Sequence, residues 1–383
     1  MMRRLVLKFG GSSVATIEKI KHAAKLVLEH AQSAEVIVVV SAMQGETNRL
    51  LALAKKTHNP LEPNREFDQV LATGEVVSAG LMSLALESLG LNAMSLTGGQ
   101  AGIQTNLLHQ NASIKSIDTD CIKAVVEQGV IPVVTGFQGV SDNTVTTLGR
   151  GGSDLTAVAL AHALNADGCW IYTDVQGVYA VDPNIINNKA IFPQIGYETL
   201  HKMAISGAEV IQCAAIEYAQ QYQVSVRICS TFEPGLGTLV NHDNAFDKAI
   251  IVKYAGLVKL DYDAKCADAY LDLFKQKVIF SNQNCCLLAM DALEIKTKLK
   301  LINAFEAESK TQINQTLISI FIPDQPSYTM INEYLQGVSY ARILVNCTER
   351  LTIKVLVPDY KMKQTVTDLY QVSQKVKEHE TST

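Results

Sequence analysis

LVLKFGGSSVATIEKIKHAAKLVLEHAQSAEVIVVVS, residues 5–41, holds the unit from which the fold follows. Leu5, Val6 and Leu7 are strand-forming and run through Lys8 and Phe9 into Gly10, Gly11, Ser12 and Ser13, a turn that leaves the backbone bare. From Thr16 to Gln32, apolar residues recur at Ile17, Ile20, Ala24, Val27, Leu28 and Ala31, the spacing of an amphipathic helix. Val36–Ser41 is a second β-branched strand. The alternation continues with a helix over 46–57, a long helical stretch from Arg65 to Leu89 and a strand at Ala93–Leu96. A helix at Thr119–Gln128, a strand at Val130–Thr135, a helix over 153–165 and a strand at Cys169–Thr173 follow. This pattern predicts the α/β class, a mainly parallel sheet sandwiched by helices. Ligands of such sheets sit beyond the carboxyl ends of the strands, where Lys8, Ser41, Thr135 and Asp174 fall.

At 383 residues the chain exceeds one ordinary core, and two or three domains are expected. Hydrophobic residues make up 48% and charged ones 19%, with no biased tract, which excludes a disordered chain. A net charge of -5 argues against a nucleic-acid surface. The longest apolar runs, such as Val36–Val40, are strand-length, so no membrane span is expected. Lys8 interrupts the run after Arg3 and Arg4 before a signal-peptide core forms, and a cytoplasmic location is expected. The eight cysteines lack CxxC spacing, and Cys285–Cys286 has no zinc-site neighbours. Reduced, mostly buried thiols and no metal ligands from the protein are expected.

Two segments have the composition of anion sites. In LGRGGSD, 148–154, Gly151 and Gly152 let backbone N–H groups approach a ligand, and the following helix points its positive dipole end there. Lys8–Ser13 joins a lysine to a glycine turn between strand and helix, although it is not GxxxxGK[ST]; alone it reads more readily as an edge-strand lysine before a tight turn. Between them lie Ser41, Thr47 and Asn48, and Thr73–Gly74–Glu75 within the long helix. Glu75 by itself reads as a solvated helix carboxylate, or alternatively as the holder of an ammonium group. TDVQGVYAVDP, 173–183, gathers Thr173, Asp174, Tyr179 and Asp182 around Gly177, as an ordinary turn-rich loop or as a nucleotide loop. None of the eight histidines falls in a glycine-rich segment. That suits an acceptor already ionised at neutral pH, a carboxylate, which needs positioning and charge neutralisation in place of a general base. Lysine, arginine, helix N-termini and nucleotide-bound Mg²⁺ supply that neutralisation.

KFGGSSV at 8–14, VSAM at 40–43, TGE at 73–75, GGQAGI at 98–103, GFQG at 136–139, TTLGRGGSD at 146–154 and YTDVQGVYAVDP at 172–183 together resemble the aspartate kinases, monofunctional members of the amino-acid kinase family with C-terminal tandem ACT-like domains. The resemblance covers residues 5 to about 240. It implies ATP and L-aspartate as partners, Mg²⁺ held mainly by the nucleotide, and 4-phospho-L-aspartate as product, the first step towards lysine, threonine and methionine. By the same resemblance Lys8 stabilises the transferring phosphoryl group and Asp154 organises the lysine. Arg150 clamps the substrate carboxylate, with Gly151 and Gly152 beside it. Glu75 takes the ammonium, and Ser41 and Thr47 add hydrogen bonds. Lys8, Phe9, Gly10, Gly11, Ser12 and Ser153 would hold phosphates, and Thr173, Asp174, Tyr179 and Asp182 the adenosine side.

The chain departs from the family pattern at Asn184, where Arg is usual, and in GAEVIQC, 207–213, where Glu209, Gln212 and Cys213 replace the Lys, His and Pro of GAKVLHP. If that lysine touches the nucleotide, reversing its charge costs about 4 kcal/mol at ~4 Å and an effective dielectric near 20, falling to about 1 kcal/mol with exposure. Weakened ATP binding is the expectation. A turn-rich stretch, Glu233–Asp247, marks a boundary. Beyond it β-like runs at Ile250–Leu260, Val278–Ala289, Thr316–Pro323, Ala341–Cys347 and Thr352–Pro358 alternate with helices near 264–276, 297–308, 326–336 and 361–375, a pair of ferredoxin-like units. The expected division is a catalytic domain over 1–245 and degenerate ACT-like units over 246–315 and 316–383, the latter pairing two chains into a homodimer. The effector turn is absent from Leu260–Lys265 and lacks its glycine at Pro323, Asp324 and Pro326, so feedback by lysine or threonine is expected to be weak or absent. Two alternatives stay open from the departures: a relative with another acceptor or donor, and a non-catalytic regulatory homologue.

Overall fold

Strand β1 (Arg3–Phe9) is buried on both faces from Leu5 onward, as the centre of a parallel sheet requires. It pairs in parallel with β2 (Ala34–Val40), matching Phe9 to Val40, and α1 (Ile17–Ala31) connects them. Thr16 caps α1 by accepting from the Lys19 N–H, and Ile20, Ala23, Ala24 and Val27 face the core. The structure, a computed structural model, describes residues 3–58, 64–186, 191–208, 210–243, 246–255, 257–261, 278–281, 285–288, 309–312, 315–347 and 351–380. The chain divides into two compact units, Met1–Val178 with Ile191–His201 and Glu209–Asn244, and Tyr179–Ala190 with Lys202–Ala208 and Ala245–Thr383.

In the first unit, β3 (Ala93–Leu96), β6 (Ile131–Thr135), β9 (Gly168–Thr173), β10 (Gln194–Gly196), β11 (Val226–Ser230) and β12 (Thr238–Asn241) complete an eight-stranded sheet in the order β10-β12-β11-β9-β1-β2-β6-β3. Every neighbouring pair is parallel except β11 with β12. The chain turns from one side of β1 to the other between β2 and β9, so the strand order reverses at β1, where a ligand crevice opens. Helices α2 (Glu46–Thr57), α3 (Arg65–Glu87), α4 (Asp120–Glu127) and α5 (Gly152–Ala163) match the sequence reading within a few residues. The reading missed α6 (Tyr197–Ile205) and α7 (Cys213–Tyr222). It also missed a small second sheet, β5-β4-β7-β8, built from β4 (Ile103–Thr105), β5 (Ile114–Ile117), β7 (Gln138–Ser141) and β8 (Thr144–Thr147). These strands are three or four residues long and rich in Gln and Thr, too short for a period to register. The signal was in the turn: Asp142 and Asn143 take φ of 48° and 59°, the two left-handed residues of a tight hairpin joining β7 to β8.

Helix α3 corrects the expectation that apolar stretches are only strand-length. By length and composition alone it is long and apolar enough to cross a membrane. Its inward face buries Asp68 and Glu75 with Phe67, Leu71, Ala79 and Met82, and it packs on α1, α2, β3 and β8 within this unit.

In the second unit, β13 (Ile250–Tyr254), β18 (Gln315–Phe321), β19 (Arg342–Cys347) and β20 (Thr352–Pro358) form an antiparallel sheet, β13-β18-β20-β19, with helices α8 (Gln325–Gln336) and α9 (Asp359–Glu380). A further antiparallel sheet, β15-β16-β14-β17, contains β14 (Val258–Asp261), β15 (Val278–Ser281), β16 (Cys285–Leu288) and β17 (Ser309–Gln312). The run read as Ile250–Leu260 thus holds two strands in different sheets, and the run read as Val278–Ala289 holds two strands, β15 and β16, that pair antiparallel. The expected helices near 264–276 and 297–308 lie outside the described residues. Cys169 and Cys229 are buried thiols, whereas Cys121 is exposed.

Gly136 ends β6 against the start of α5, where an added Cβ would stand 2.6 Å from the Ser153 Cβ. Gly136→Ala is expected to lower the unfolding free energy by about 1–3 kcal/mol, read from urea denaturation, because backbone on both sides resists the shift.

Candidate active site

Four strand ends lie side by side. Phe9 is in register with Val40 and with Tyr172, and Val40 with Thr135, so Gly10, Ser41, Gly136 and Thr173 form a row across the sheet. Backbone bonds lock that row: the Gly10 N–H donates to Tyr172 O, the Ser41 N–H to Phe9 O and the Gly136 N–H to Val40 O.

Lys8 and Asp154 meet over it. Their side chains are each 10% exposed, and Lys8 Nζ stands 2.5 Å from Asp154 Oδ1. That oxygen has no aligned hydrogen bond, so the contact is charge on charge. Asp154 lies in the first turn of α5, whose cap is Gly151 at φ 75°, a left-handed conformation that offers no side-chain cap to the helix N–H groups. The Lys8–Asp154 pair, the Gly10–Gly11 turn and this uncapped helix start supply a cation and free N–H groups for an anion. At Gly10 an added Cβ would lie 3.3 Å from Lys8 Nζ, a tight approach that the lysine end would have to yield to. Gly11 is as tight, 3.0 Å from Ala42 O. Ser153 is buried beside Asp154, and Ser12 is half-buried with its carbonyl accepting from Lys19 Nζ at 3.2 Å.

Glu75 belongs to the same neighbourhood through Ala42, whose N–H donates to Glu75 Oε1 at 3.0 Å. It is 3% exposed, not the solvated carboxylate its helix position suggests. Its other oxygen, Oε2, is buried without a hydrogen-bond partner. Burial raises the carboxyl pKa to about 7 against the opposing Ala42 hydrogen bond. A buried carboxylate with one free oxygen, and no ion pair among the described residues, is a receptor for a positive charge. Ser41 and Thr47 are half-buried at the end of β2 and the start of α2. Arg150 is exposed and makes no ion pair among the described residues, leaving its guanidinium available for a carboxylate. Gly152 is hemmed by Leu148 and Phe137, at 2.8 and 3.0 Å from a would-be Cβ.

Phe9 is fully buried and stacks on Tyr172 with ring centroids 5.0 Å apart, so its side chain serves the core and not a nucleotide. Tyr179 and Asp182 belong to the second unit. There Asp182 accepts from the Asn184 N–H at 2.9 Å and pairs with Lys253 at 3.1 Å; burial opposes its charge, but those partners hold its carboxyl below the usual range. Thr173 and the exposed Asp174 remain at the end of β9, bonded to each other at 3.1 Å. Glu209 lies outside the described residues. Gln212 precedes α7 and lies against Gly151, whose Cβ would come 1.9 Å from Gln212 Cγ, so that departure touches the LGRGGSD loop.

The model of the amino acid kinase family matches residues 3–230. The chain belongs to the amino acid kinase family. Its relatives include the aspartokinase of Geobacillus stearothermophilus, 45% identical over 251 residues, 65% of this chain and 61% of that one. Aspartokinase 2 of Bacillus subtilis is 44% identical over 255 residues, 66% of this chain and 62% of that one. The chain thus spans about three fifths of the length of the curated relatives it matches. Among solved structures, E. coli aspartokinase III in complex with aspartate and ADP has the same fold, with a TM-score of 0.74 at 22% identity over 97% of this chain and 99% of that one.

The raised Glu75 pKa has a signed consequence. A carboxyl that releases its proton near 4.5 unfolded and about 7 folded binds the proton better when folded. Its stabilisation is full at low pH and declines as pH rises to about 7, by about 3 kcal/mol. Glu75→Gln lacks this titration. In paired urea titrations, the wild type should lose about that much stability relative to the variant across the same window.

Proposed function

We propose that this chain transfers the γ-phosphoryl group of ATP to the β-carboxylate of L-aspartate, giving 4-phospho-L-aspartate and ADP. The observation that carries the reading is the free, buried Glu75 Oε2 in the neighbourhood of the Lys8–Asp154 pair. An acceptor with an ammonium group answers Glu75, and a phosphoryl group answers Lys8. The aspartokinase names of the relatives support the same choice. So does the bound aspartate and ADP of the E. coli structure.

Arg150 holds the acceptor's α-carboxylate in a two-pronged grip, while Glu75 takes its ammonium with Ser41 and Thr47 beside it. One β-carboxylate oxygen then attacks the γ-phosphorus, and the bond to the β,γ-bridging oxygen breaks as ADP leaves. No proton needs to be removed, in keeping with the lack of a histidine in the site's glycine segments. Two anions must approach, so Lys8 neutralises the transferring oxygens and Asp154 keeps the lysine aimed. Gly10, Gly11, Ser12 and the α5 start, with Gly151, Gly152 and Ser153, offer N–H groups and a hydroxyl to the phosphates. Mg²⁺, held mainly by the nucleotide, would spread phosphate charge when ATP is bound. On this reading the first unit is the catalytic domain, and the second holds two ACT-like units that pair two chains into a homodimer; the bounds 246–315 and 316–383 are corrected in that β13 joins the sheet of β18, β19 and β20.

A hydroxamate assay with aspartate, ATP and Mg²⁺ tests the reading. The wild type yields aspartyl hydroxamate, Lys8→Ala loses roughly 100-fold or more in kcat, and Arg150→Ala raises KM for aspartate about tenfold to a hundredfold. No hydroxamate from wild type at saturating ATP overturns it.

Regulation follows from α8. Asp324 caps this helix by accepting from the Ser327 N–H at 2.7 Å, with proline in the first turn, so the stretch that would form an effector turn is an ordinary helix start. Millimolar lysine or threonine should lower the hydroxamate rate little or not at all.

A further inference from the structure

One buried charge of the first unit has no part in the proposed reaction. Asp68, on α3, is 0% exposed. The Thr147 hydroxyl donates to Oδ1 at 2.6 Å, and His109 Nδ1 donates to Oδ2 at 2.7 Å. The Gln110 N–H points at both oxygens, at 3.1 and 3.3 Å. A carboxylate satisfied by groups from two separate chain segments fixes those segments to each other. Thr147 ends β8, two residues before Gly149, and its carbonyl accepts from the Ala112 N–H at 2.9 Å. Gln110 sits at φ 61°, a left-handed conformation held against its own preference. Gly149, at φ 76°, packs directly on this stretch: an added Cβ would lie 3.0 Å from Gln110 O and 3.2 Å from Asn111 Oδ1. The next residue is Arg150.

Asp68 and Glu75 are seven positions apart on one helix. That is close to two full turns, so they share a face about 10 Å apart along the axis. The carbonyl of Ala72, between them, accepts from Gln138 Nε2 at 2.9 Å, which pins the helix midway. Helix α3 therefore carries Glu75 itself and, through Asp68, the loop that carries Arg150.

We infer that Asp68 is a positioning residue for the acceptor: it sets where Arg150 stands relative to Glu75, and so the length of amino acid the site takes. The inference rests on the proposed function for its substrate but not for its geometry. Asp68→Asn weakens the grip, Thr147→Val removes one bond at nearly constant volume, and Thr147→Ser keeps it.

Amide hydrogen exchange of residues 148–151 and hydroxamate kinetics are measured on wild type and these three variants. Exchange at 148–151 should quicken about tenfold in Asp68→Asn and Thr147→Val while β1 and α1 keep their protection. KM for aspartate should rise about tenfold, with kcat and KM for ATP within about twofold, and Thr147→Ser should match wild type. Unchanged exchange at 148–151 overturns the inference. So does a rise in exchange spread over the whole unit, or KM for ATP climbing in step with that for aspartate, since either marks a merely structural residue. A wild type that makes no hydroxamate refutes the proposed function alone, and the exchange pattern then still decides whether Asp68 holds the Arg150 loop.

Discussion

The Lys8–Asp154 ion pair is the contact on which the rest of the first unit depends. Two charges, each with a side chain 10% exposed, stand 2.5 Å apart between the central strand and the first turn of α5. Neither is tolerable there alone: leaving one buried charge without its partner costs about 3–5 kcal/mol. The pair thus forces the start of α5 onto the end of β1, across 146 positions of chain. Gly151 is left-handed to start the helix at that point. Gly10 stands beside the ammonium, whereas Gly136 and Gly151 answer the packing of Ser153 and Gln212.

The same economy governs α3. A helix this apolar would be an ordinary core element except that two of its inward positions are carboxylates with opposite circumstances. Asp68 is surrounded by donors and is structurally complete. Glu75 has one donor and one empty oxygen, and burial drives its pKa to about 7. The first spends its charge on internal order, while the second keeps a free oxygen that a proton or a bound cation can answer. Under the proposed reading that difference separates a scaffold residue from a binding residue, although their helix positions look alike.

Much of this was legible in the sequence, for physical reasons. The β1–α1–β2 unit could be read because strand and helix periods are both long there, and the glycine segments because few residue combinations expose backbone N–H groups so freely. Helix α2 was read to the residue. The small sheet escaped because its strands span no more than two periods of alternation. A motif names neighbours without saying which way a strand side chain points; alternation puts Lys8 and Phe9 on opposite faces, and the Phe9 ring packs on Tyr172. Asp68 went unnoticed although it stands at the spacing of Phe67, Leu71 and Glu75, where a carboxylate on an apolar face demands partners.

The departure at Asn184 looks different once the structure of its loop is known. The Asp182 carboxylate is engaged by the Asn184 N–H and by Lys253, and the Asp182 carbonyl accepts from the Ile185 N–H at 2.9 Å. A backbone N–H is supplied by any residue but proline, so an asparagine performs that task as well as an arginine. Alanine 180 and Val181 are also tied to β13, the Ile251 N–H donating to Ala180 O at 2.8 Å. The carboxylate read as an adenosine contact is therefore already neutralised within the second unit. Its charge serves the turn that joins these residues to β13, and the loss of an arginine two positions on leaves that turn intact.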